Sequence, residues 1–274
     1  MRTLYISDLD GTLLNNKAEL SPKATRELND LINQGISFTY ATGRSWASAS
    51  KVMKNITLNL PVITHNGTFI CKPKSGEVIR VFSMSADKFA KIRSILMEHN
   101  VHPLVYTQID NAERLLWVKG NESDETRSFL ELRRGDKRLL GVDSWHDLSK
   151  GMTYEILVIG SYNKLASLAV TVANEAGYSI IFTKDHYIDQ YLLEIYDEKA
   201  SKAAGIEWLR KNYDFDKIIC FGDNLNDISM FKAADEAYAP ENALPELKQI
   251  ATGVIGSNEN SSVVEFIKKH VKGD

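Results

Sequence analysis

Two carboxylates stand two positions apart near the start of the chain, in the run Asp8-Leu9-Asp10-Gly11-Thr12. A short apolar segment precedes them, and the glycine allows a tight turn. Two negative charges held this close repel each other unless a cation lies between them. Mg²⁺ prefers oxygen ligands and commonly takes one or two protein carboxylates together with substrate phosphate and water. Together with the attached Gly11-Thr12 and the apolar strand before it, the spacing favours a magnesium site over an acidic loop that merely caps a sheet edge.

A second oxygen-rich loop, Gly222-Asp223-Asn224-Leu225-Asn226-Asp227, follows another apolar segment. It contains two carboxylates and two amides. We expect Asp223 to complete the metal site with Asp227 close by, and Asn226 to contact phosphate or a metal-bound water. The alternative interpretation is a polar turn that caps a helix.

Two further clusters suit a phosphate group. Thr42-Gly43-Arg44 offers a hydroxyl and backbone N–H groups where a helix begins, although Thr42 could serve simply as an N-cap. Lys202 lies near the start of another helix, where its charge opposes the helix dipole. A bound phosphate would explain that position, with Lys199 as the competing candidate.

Residues that could touch the substrate are fewer. Arg44 belongs to the phosphate-binding cluster, and His65 and Asn66 stand at the end of a predicted strand beside Gly67. Weaker candidates lie near the end of the middle segment: His186, Tyr187 and Asp189.

The elements that must position these residues alternate between strand and helix patterns. Short apolar runs at 4–7, 36–41, 61–64 and 217–221 read as strands, which predicts an α/β fold with a parallel sheet. The carboxyl ends of parallel strands form a ligand crevice, so residues distant in sequence should meet there. Paired strands and helices in the middle indicate an inserted α+β domain. We predict a core of residues 1–82 and 189–274 and an inserted domain of 83–188.

Composition excludes several classes of protein. The 274 residues carry 33 Lys plus Arg against 36 Asp plus Glu, without the basic excess that nucleic-acid binders usually show. Two cysteines make a disulfide framework impossible. No stretch reaches the roughly 18 apolar residues of a membrane span, and the start of the chain does not resemble a signal peptide. We predict a cytoplasmic protein without nucleic-acid or membrane partners, either a monomer or a homodimer.

The polar clusters occur in the order of the motifs of the haloacid dehalogenase (HAD) superfamily, and the chain resembles its Cof-type sugar-phosphatase-like branch. The matching segments are Asp8-x-Asp10-Gly11-Thr12, Thr42-Gly43-Arg44, Lys202 and Gly222-Asp223-x-x-Asn226-Asp227, with Asn66-Gly67 also similar. The resemblance covers essentially the whole chain. It implies a Rossmann-like three-layer core with an inserted α+β cap of the C2B type. The segment 257–263 departs from the pattern, so no role is assigned to Asn258.

The resemblance also implies a mechanism for phosphomonoester hydrolysis. Asp8 would attack phosphorus to form an aspartyl-phosphate, and Asp10 would act as general acid and base. Mg²⁺ would be held by Asp8, Asp223 and the Asp10 main-chain carbonyl, with Asp227 supporting it, while Thr42 and Lys202 hold phosphate oxygens. The expected substrate is a small phosphorylated metabolite such as a sugar phosphate, chosen by the cap.

Two other functions remain open from the sequence. One is a phosphomannomutase-like phosphotransferase that uses the same aspartyl-phosphate. The other is a non-catalytic regulatory protein that binds a phosphometabolite.

Overall fold

Strands and helices alternate along the chain, and the computed structural model describes residues 2–110, 112–184 and 190–273. The candidates His186, Tyr187 and Asp189 lie outside the described residues. The chain divides into two units, the first formed by Met1–Val81 with Ser201–Asp274 and the second by Phe82–Ala200.

The strands are β1 Thr3–Ser7, β2 Ser37–Tyr40, β3 Val62–Thr64, β4 Phe69–Cys71, β5 Val78–Val81, β6 Leu104–Ile109, β7 Ala112–Val118, β8 Leu139–Val142, β9 Met152–Gly160, β10 Tyr178–Lys184, β11 Tyr191–Asp197, β12 Lys217–Phe221, β13 Glu236–Pro240 and β14 Gly253–Ile255. The α-helices are α1 Pro22–Asn33, α2 Trp46–Val52, α3 Ala86–Glu98, α4 Asp124–Glu131, α5 Tyr162–Ala173, α6 Lys202–Tyr213, α7 Ile228–Ala233, α8 Pro245–Ile250 and α9 Ser262–Lys272. Short turns occur at Leu9–Leu13, His65–Gly67, Asp147–Ser149, Leu225–Asp227 and Asn258–Asn260.

The main sheet of the first unit is parallel, with the strand order β14-β13-β12-β1-β2. Ser7, the last residue of β1, lies opposite Phe221 on one side and Tyr40 on the other. All three strands therefore end at the same edge of the sheet. The loops that begin with Asp8, Ala41 and Gly222 start side by side, as the sequence pattern requires.

Alternating side chains of β1 face two different helical layers. Leu4 and Ile6 are fully buried and belong to the same apolar cluster as Ile206 of α6 and Met230 of α7. Tyr5 points the other way, and its hydroxyl lies 2.7 Å from the His270 ring nitrogen in α9. Burial of each large aliphatic side chain contributes about 1.5–3 kcal/mol. The predicted three-layer α/β core is confirmed.

The third predicted strand joins the sheet differently from the others. β3 pairs antiparallel with β4, which pairs antiparallel with β5. It contacts the main sheet through the isolated parallel bridge between Ala41 and Ile63. The reason is the tight turn His65–Gly67, which reverses the chain directly after β3.

The second unit is built on a mainly antiparallel sheet, with the order β10-β11-β9-β6-β7-β8. Its larger apolar cluster includes Phe89 of α3 and Leu165 of α5, and its smaller one includes Phe129 of α4. The predicted α+β insertion is confirmed as a fold class. It extends to Ala200 rather than residue 188, because β11 pairs with β9 and β10 in this sheet.

None of the helices in the described part of the chain combines the length and apolar character that a membrane span requires.

Candidate active site

Asp8 is the first residue after β1, and its position depends on the neighbouring strand. Its backbone N–H donates to the Phe221 carbonyl over 2.8 Å, and its side chain is almost fully buried. The chain then forms the tight turn Leu9–Leu13, in which Gly11 adopts a φ of +73°. A Cβ atom on Gly11 would lie only 2.4 Å from the Asp223 carboxylate. Glycine therefore lets the first acidic loop approach the second.

Lys202 is the cation at the centre of the site. It is the first residue of α6, which Ser201 caps by accepting the Ala204 N–H over 3.1 Å. Its side chain is completely buried, and Nζ donates over 2.6 Å both to Asp8 Oδ1 and to Asp227 Oδ1. Lys199, the competing candidate, is exposed. The charge that opposes the helix dipole is thus stabilised by two carboxylates.

The second acidic loop is held by its own carboxylate. Asp227 Oδ2 accepts the backbone N–H groups of Asp223 and Asn224, over 2.9 and 3.1 Å. Because Oδ1 accepts from Lys202, both oxygens of Asp227 have protein partners. Thr12 donates its hydroxyl to Asp223 Oδ1 over 2.8 Å, which links the two acidic loops. Asp227 therefore orders the loop and Lys202 together.

Burial beside other charges shifts the pKa values of Asp8, Asp223 and Lys202. Burial raises the pKa of the Asp8 carboxyl well above its usual range against the pull of Lys202, and the charges of Asp227 and Asp223 add to the increase. Burial, followed by the charge of Asp227, raises the pKa of Asp223 to about 6. For Lys202, burial lowers the pKa, but the attraction of Asp227 and Asp8 outweighs it and leaves the pKa above its ordinary value. The cluster carries an excess of negative charge that a further cation would stabilise.

The geometry of the carboxylates suits that cation. Asp8, Asp223 and Asp227 each offer an oxygen, and these atoms all lie within 4.8 Å of one another. A divalent ion with hard oxygen ligands fits such a donor set. The residues present are therefore able to hold the predicted metal, although the Asp227 oxygens already have other partners.

Asp10, the second carboxylate of the first loop, is half exposed and forms a bidentate ion pair with Arg44. Arg44 Nε donates to Oδ2 over 2.6 Å, and Nη2 donates to Oδ1 over 2.5 Å. The sequence suggested a substrate contact for Arg44, and the structure shows it bound to the predicted acid and base. This fork geometry is the strong form of an arginine–carboxylate contact.

The predicted phosphate loop Thr42-Gly43-Arg44 follows β2. Thr42 is buried, and its hydroxyl accepts the Arg44 N–H over 3.1 Å, as an N-cap-like turn would. Asn66 donates its backbone N–H to the Thr42 carbonyl over 3.0 Å. The Asn66 amide also accepts from Asn226 Nδ2 over 3.0 Å, so two candidate residues from distant segments meet.

Two asparagines that the sequence did not assign support the first loop. Asn242 donates to the Gly11 carbonyl over 2.7 Å. Asn258 is buried, donates to the Leu14 carbonyl over 3.0 Å, and gives its backbone N–H to Asn242 Oδ1 over 3.1 Å. Their sequence signal is weak because single asparagines in polar loops commonly serve local turns. Segment 257–263, which departs from the family pattern, therefore contains a residue, Asn258, that holds the loop after Asp8.

Known proteins resemble this chain along nearly its whole length. The model of the haloacid dehalogenase-like hydrolase family matches residues 5–267. The 5-amino-6-(5-phospho-D-ribitylamino)uracil phosphatase YitU of Bacillus subtilis is 26% identical over an alignment of 275 positions that covers 97% of each chain. The pyridoxal phosphate phosphatase YbhA of Escherichia coli is 25% identical over an alignment of 276 positions that covers 96% of this chain and 97% of the relative.

Solved structures share the fold along nearly the whole chain. TM0651 from Thermotoga maritima is 26% identical with a TM-score of 0.77, covering 98% of this chain and 97% of its own. The HAD subclass IIB sugar phosphatase BT4131 has a TM-score of 0.74 at 16% identity, covering 99% of both chains. At that identity the likeness concerns the fold alone.

Proposed function

The chain belongs to the haloacid dehalogenase-like hydrolase family and is a phosphoric monoester hydrolase, and we propose that it hydrolyses small phosphorylated metabolites with Mg²⁺ through a phosphorylated Asp8. The observation that carries this proposal is the cluster of Asp8, Lys202 and Asp223: a buried carboxylate, a buried cation and a second carboxylate at the end of a parallel sheet. The family membership confirms the resemblance drawn from the motifs.

Asp8 is the proposed nucleophile. Its carboxylate oxygen forms a bond to phosphorus while the bond from phosphorus to the ester oxygen breaks. Lys202 orients the Asp8 carboxylate through the 2.6 Å contact and supplies positive charge beside the transferring group.

Asp10 is the proposed general acid and base. It gives a proton to the leaving alkoxide, then takes one from the water that attacks the phosphorylated Asp8. That second step releases inorganic phosphate and restores the Asp8 carboxylate. The Arg44 contact would hold Asp10 in place, but an arginine fork also competes for the oxygens that must carry the proton.

The metal would be held by Asp8 and Asp223, with the Asp10 main-chain carbonyl as a further ligand. When bound, Mg²⁺ reduces the repulsion between the Asp8 carboxylate and the phosphate dianion. Thr12 orients Asp223 for this role through the 2.8 Å hydrogen bond. Asp227 orders Lys202 and the loop that carries Asp223.

The phosphate oxygens would be held by Thr42, the backbone of Gly43, Lys202 and Asn226. The first two lie in the loop after β2, beside the end of β1. The substrate class follows from the relatives, which act on pyridoxal phosphate and on a phosphorylated ribitylaminouracil. Both are small phosphorylated metabolites, which supports the same class here.

The proposal is tested by phosphate release in the presence of Mg²⁺, first from p-nitrophenyl phosphate and then from a panel of phosphorylated metabolites. Asp8→Asn should abolish turnover, whereas Asp30→Asn on the exposed face of α1 serves as the matched control and should leave it unchanged. An Asp8→Asn variant as active as the control would refute the proposal. Analysis of products from hexose phosphates separates hydrolysis, which yields free phosphate, from transfer, which yields an isomerised sugar phosphate.

A further inference from the structure

The turn His65–Gly67 has an unusual backbone. Its residues have φ values of 47°, 53° and 103°, so all three lie on the left-handed side of conformational space. Residues with a Cβ atom adopt that region at a cost of roughly 1–2 kcal/mol each, and asparagine is among those that adopt it most readily. Such strain persists only where surrounding contacts impose it, and it clusters at functional sites.

Contacts with the phosphate loop impose this conformation. His65 donates its backbone N–H to the Arg44 carbonyl, and Asn66 donates to the Thr42 carbonyl, both over 3.0 Å. The Asn66 amide also lies where a side chain on Gly43 would be, because a Cβ there would be 3.2 Å from Asn66 Oδ1. The turn is therefore tied to each residue of the loop that follows β2.

The same turn touches the segment that carries Lys202. A Cβ atom on Gly67 would lie 2.0 Å from the Ser201 carbonyl oxygen and 2.7 Å from the Lys202 nitrogen. This close approach requires glycine and places the turn against the start of α6. One short segment thus contacts the phosphate loop and the helix of the central lysine.

The side chain of Asn66 adds a third connection, to Asn226. Asn226 Nδ2 donates to Asn66 Oδ1 over 3.0 Å, and Asn66 is buried whereas Asn226 is partly exposed. An amide nitrogen carries two hydrogens in one plane, so holding the first in this bond fixes the direction of the second. Without this bond the Asn226 amide could rotate and present either its oxygen or its nitrogen.

We infer that Asn66 is a positioning residue that orients the Asn226 amide as a hydrogen-bond donor to the substrate phosphate. Asn66 acts through Asn226, rather than by touching the substrate. The inference rests on the proposed function, because it takes Asn226 as a phosphate contact. It also gives the left-handed turn a role, because the turn places the buried Asn66 amide oxygen 3.0 Å from the Asn226 amide nitrogen.

A double-mutant cycle tests this role. Asn66→Gly removes the side chain without adding backbone strain, since glycine accepts a positive φ. Asn226→Ala removes the donor. The measured quantities are kcat and KM for p-nitrophenyl phosphate, the inhibition constant of inorganic phosphate, and the Mg²⁺ concentration that gives half-maximal activity.

Loss of a hydrogen bond to a charged group should weaken phosphate binding about 10- to 100-fold in Asn226→Ala. In Asn66→Gly the Asn226 amide remains but loses its fixed orientation, which should weaken phosphate binding about 2- to 10-fold. The double variant should equal Asn226→Ala, because Asn66 has nothing left to orient. The Mg²⁺ requirement should not change, whereas a general collapse of the site would raise it. Losses that multiply in the double variant, or an increased Mg²⁺ requirement in Asn66→Gly, would overturn the inference.

A second variant keeps the test decisive if Asn66→Gly does not fold. Asn66→Asp retains an accepting oxygen, and its added charge weakens phosphate binding equally with and without Asn226. Replacing Asn226 by alanine should therefore cost as much in the Asn66→Asp background as in the wild type, and little in an Asn66→Ala background, which lacks the accepting oxygen; an equal cost in both backgrounds would overturn the inference.

Calorimetric binding of inorganic phosphate to the Mg²⁺-loaded protein separates the two proposals. If the wild type releases no phosphate from any substrate but the binding cycle is non-additive, the proposed function fails and the role of Asn66 stands. If the wild type releases phosphate but the binding cycle is additive, the proposed function stands and the role of Asn66 fails.

Discussion

Replacing Lys202 by methionine tests the electrostatic centre of the site. Methionine is unbranched and of similar length, so the change removes the ammonium group while largely filling the space. It leaves Asp8 and Asp227 without the cation that each contacts over 2.6 Å, and leaves Asp223 as a third carboxylate nearby. We expect both stability and catalysis to fall.

The size of the loss in stability follows from these distances. At an effective dielectric constant of about 20, each 2.6 Å contact contributes about 6 kcal/mol of attraction. Desolvation of the buried ammonium offsets a large part of this, and removing one partner of a buried pair typically costs about 3–5 kcal/mol. That loss is a large fraction of a domain's usual stability of about 5–15 kcal/mol.

The assay is denaturant unfolding without Mg²⁺, with amide hydrogen exchange of β1 to assign the loss to the first unit. Lys199→Met is the matched control, because Lys199 is exposed, and should change the free energy of unfolding by less than about 0.5 kcal/mol. Adding Asp227→Asn to Lys202→Met should recover part of the loss, because it removes one uncompensated charge. If Lys202→Met proves as stable as Lys199→Met, Lys202 is not the compensating cation and the reasoning is refuted.

Three further substitutions test other contacts of the site. Thr12→Val removes the 2.8 Å hydrogen bond to Asp223 and should weaken Mg²⁺ activation about 10- to 100-fold, whereas Thr12→Ser retains the hydroxyl and most of the affinity. Gly67→Ala should destabilise the protein strongly, because the added Cβ would meet the chain at 2.0 Å; Gly35→Ala, with a φ of +96° and open space around it, should cost only the backbone strain of about 1–2 kcal/mol. Asp10→Asn should slow hydrolysis of alkyl phosphates about 10²- to 10⁴-fold and that of p-nitrophenyl phosphate much less, because nitrophenolate leaves without a proton.

Each of these predictions has an outcome that contradicts it. Mg²⁺ titration curves that coincide for Thr12→Val and wild type would show that Thr12 does not orient a metal ligand. Equal melting temperatures for Gly67→Ala and Gly35→Ala would mean that the turn does not press against the start of α6. A uniform effect of Asp10→Asn on both classes of ester would remove Asp10 from proton transfer to the leaving group.

The sequence alone predicted the parallel core and the residues that stand at its strand ends. Asp8, Thr42 and Asp223 follow apolar strands, and a parallel sheet brings such positions to one edge whatever the detail of packing. From the residues alone Lys202 and Lys199 competed, because helix boundaries read from sequence do not tell which of two nearby lysines is buried; the family resemblance favoured Lys202. In the structure Nζ of Lys202 lies 2.6 Å from both Asp8 and Asp227, whereas Lys199 is exposed.

Features that the sequence determines by local pattern involve residues close together in the chain. Features that only the folded molecule decides involve residues far apart in the chain. Strand alternation, the N-cap by Ser201 and the need for glycine at position 11 are local, and short segments encode them. The contacts of Arg44 with Asp10 and of Asn226 with Asn66 join residues 34 and 160 positions apart. Side-chain direction and burial at such separations depend on how whole strands and helices pack. For that reason the sequence could predict candidate site residues, and only the tertiary structure shows which of them hold one another.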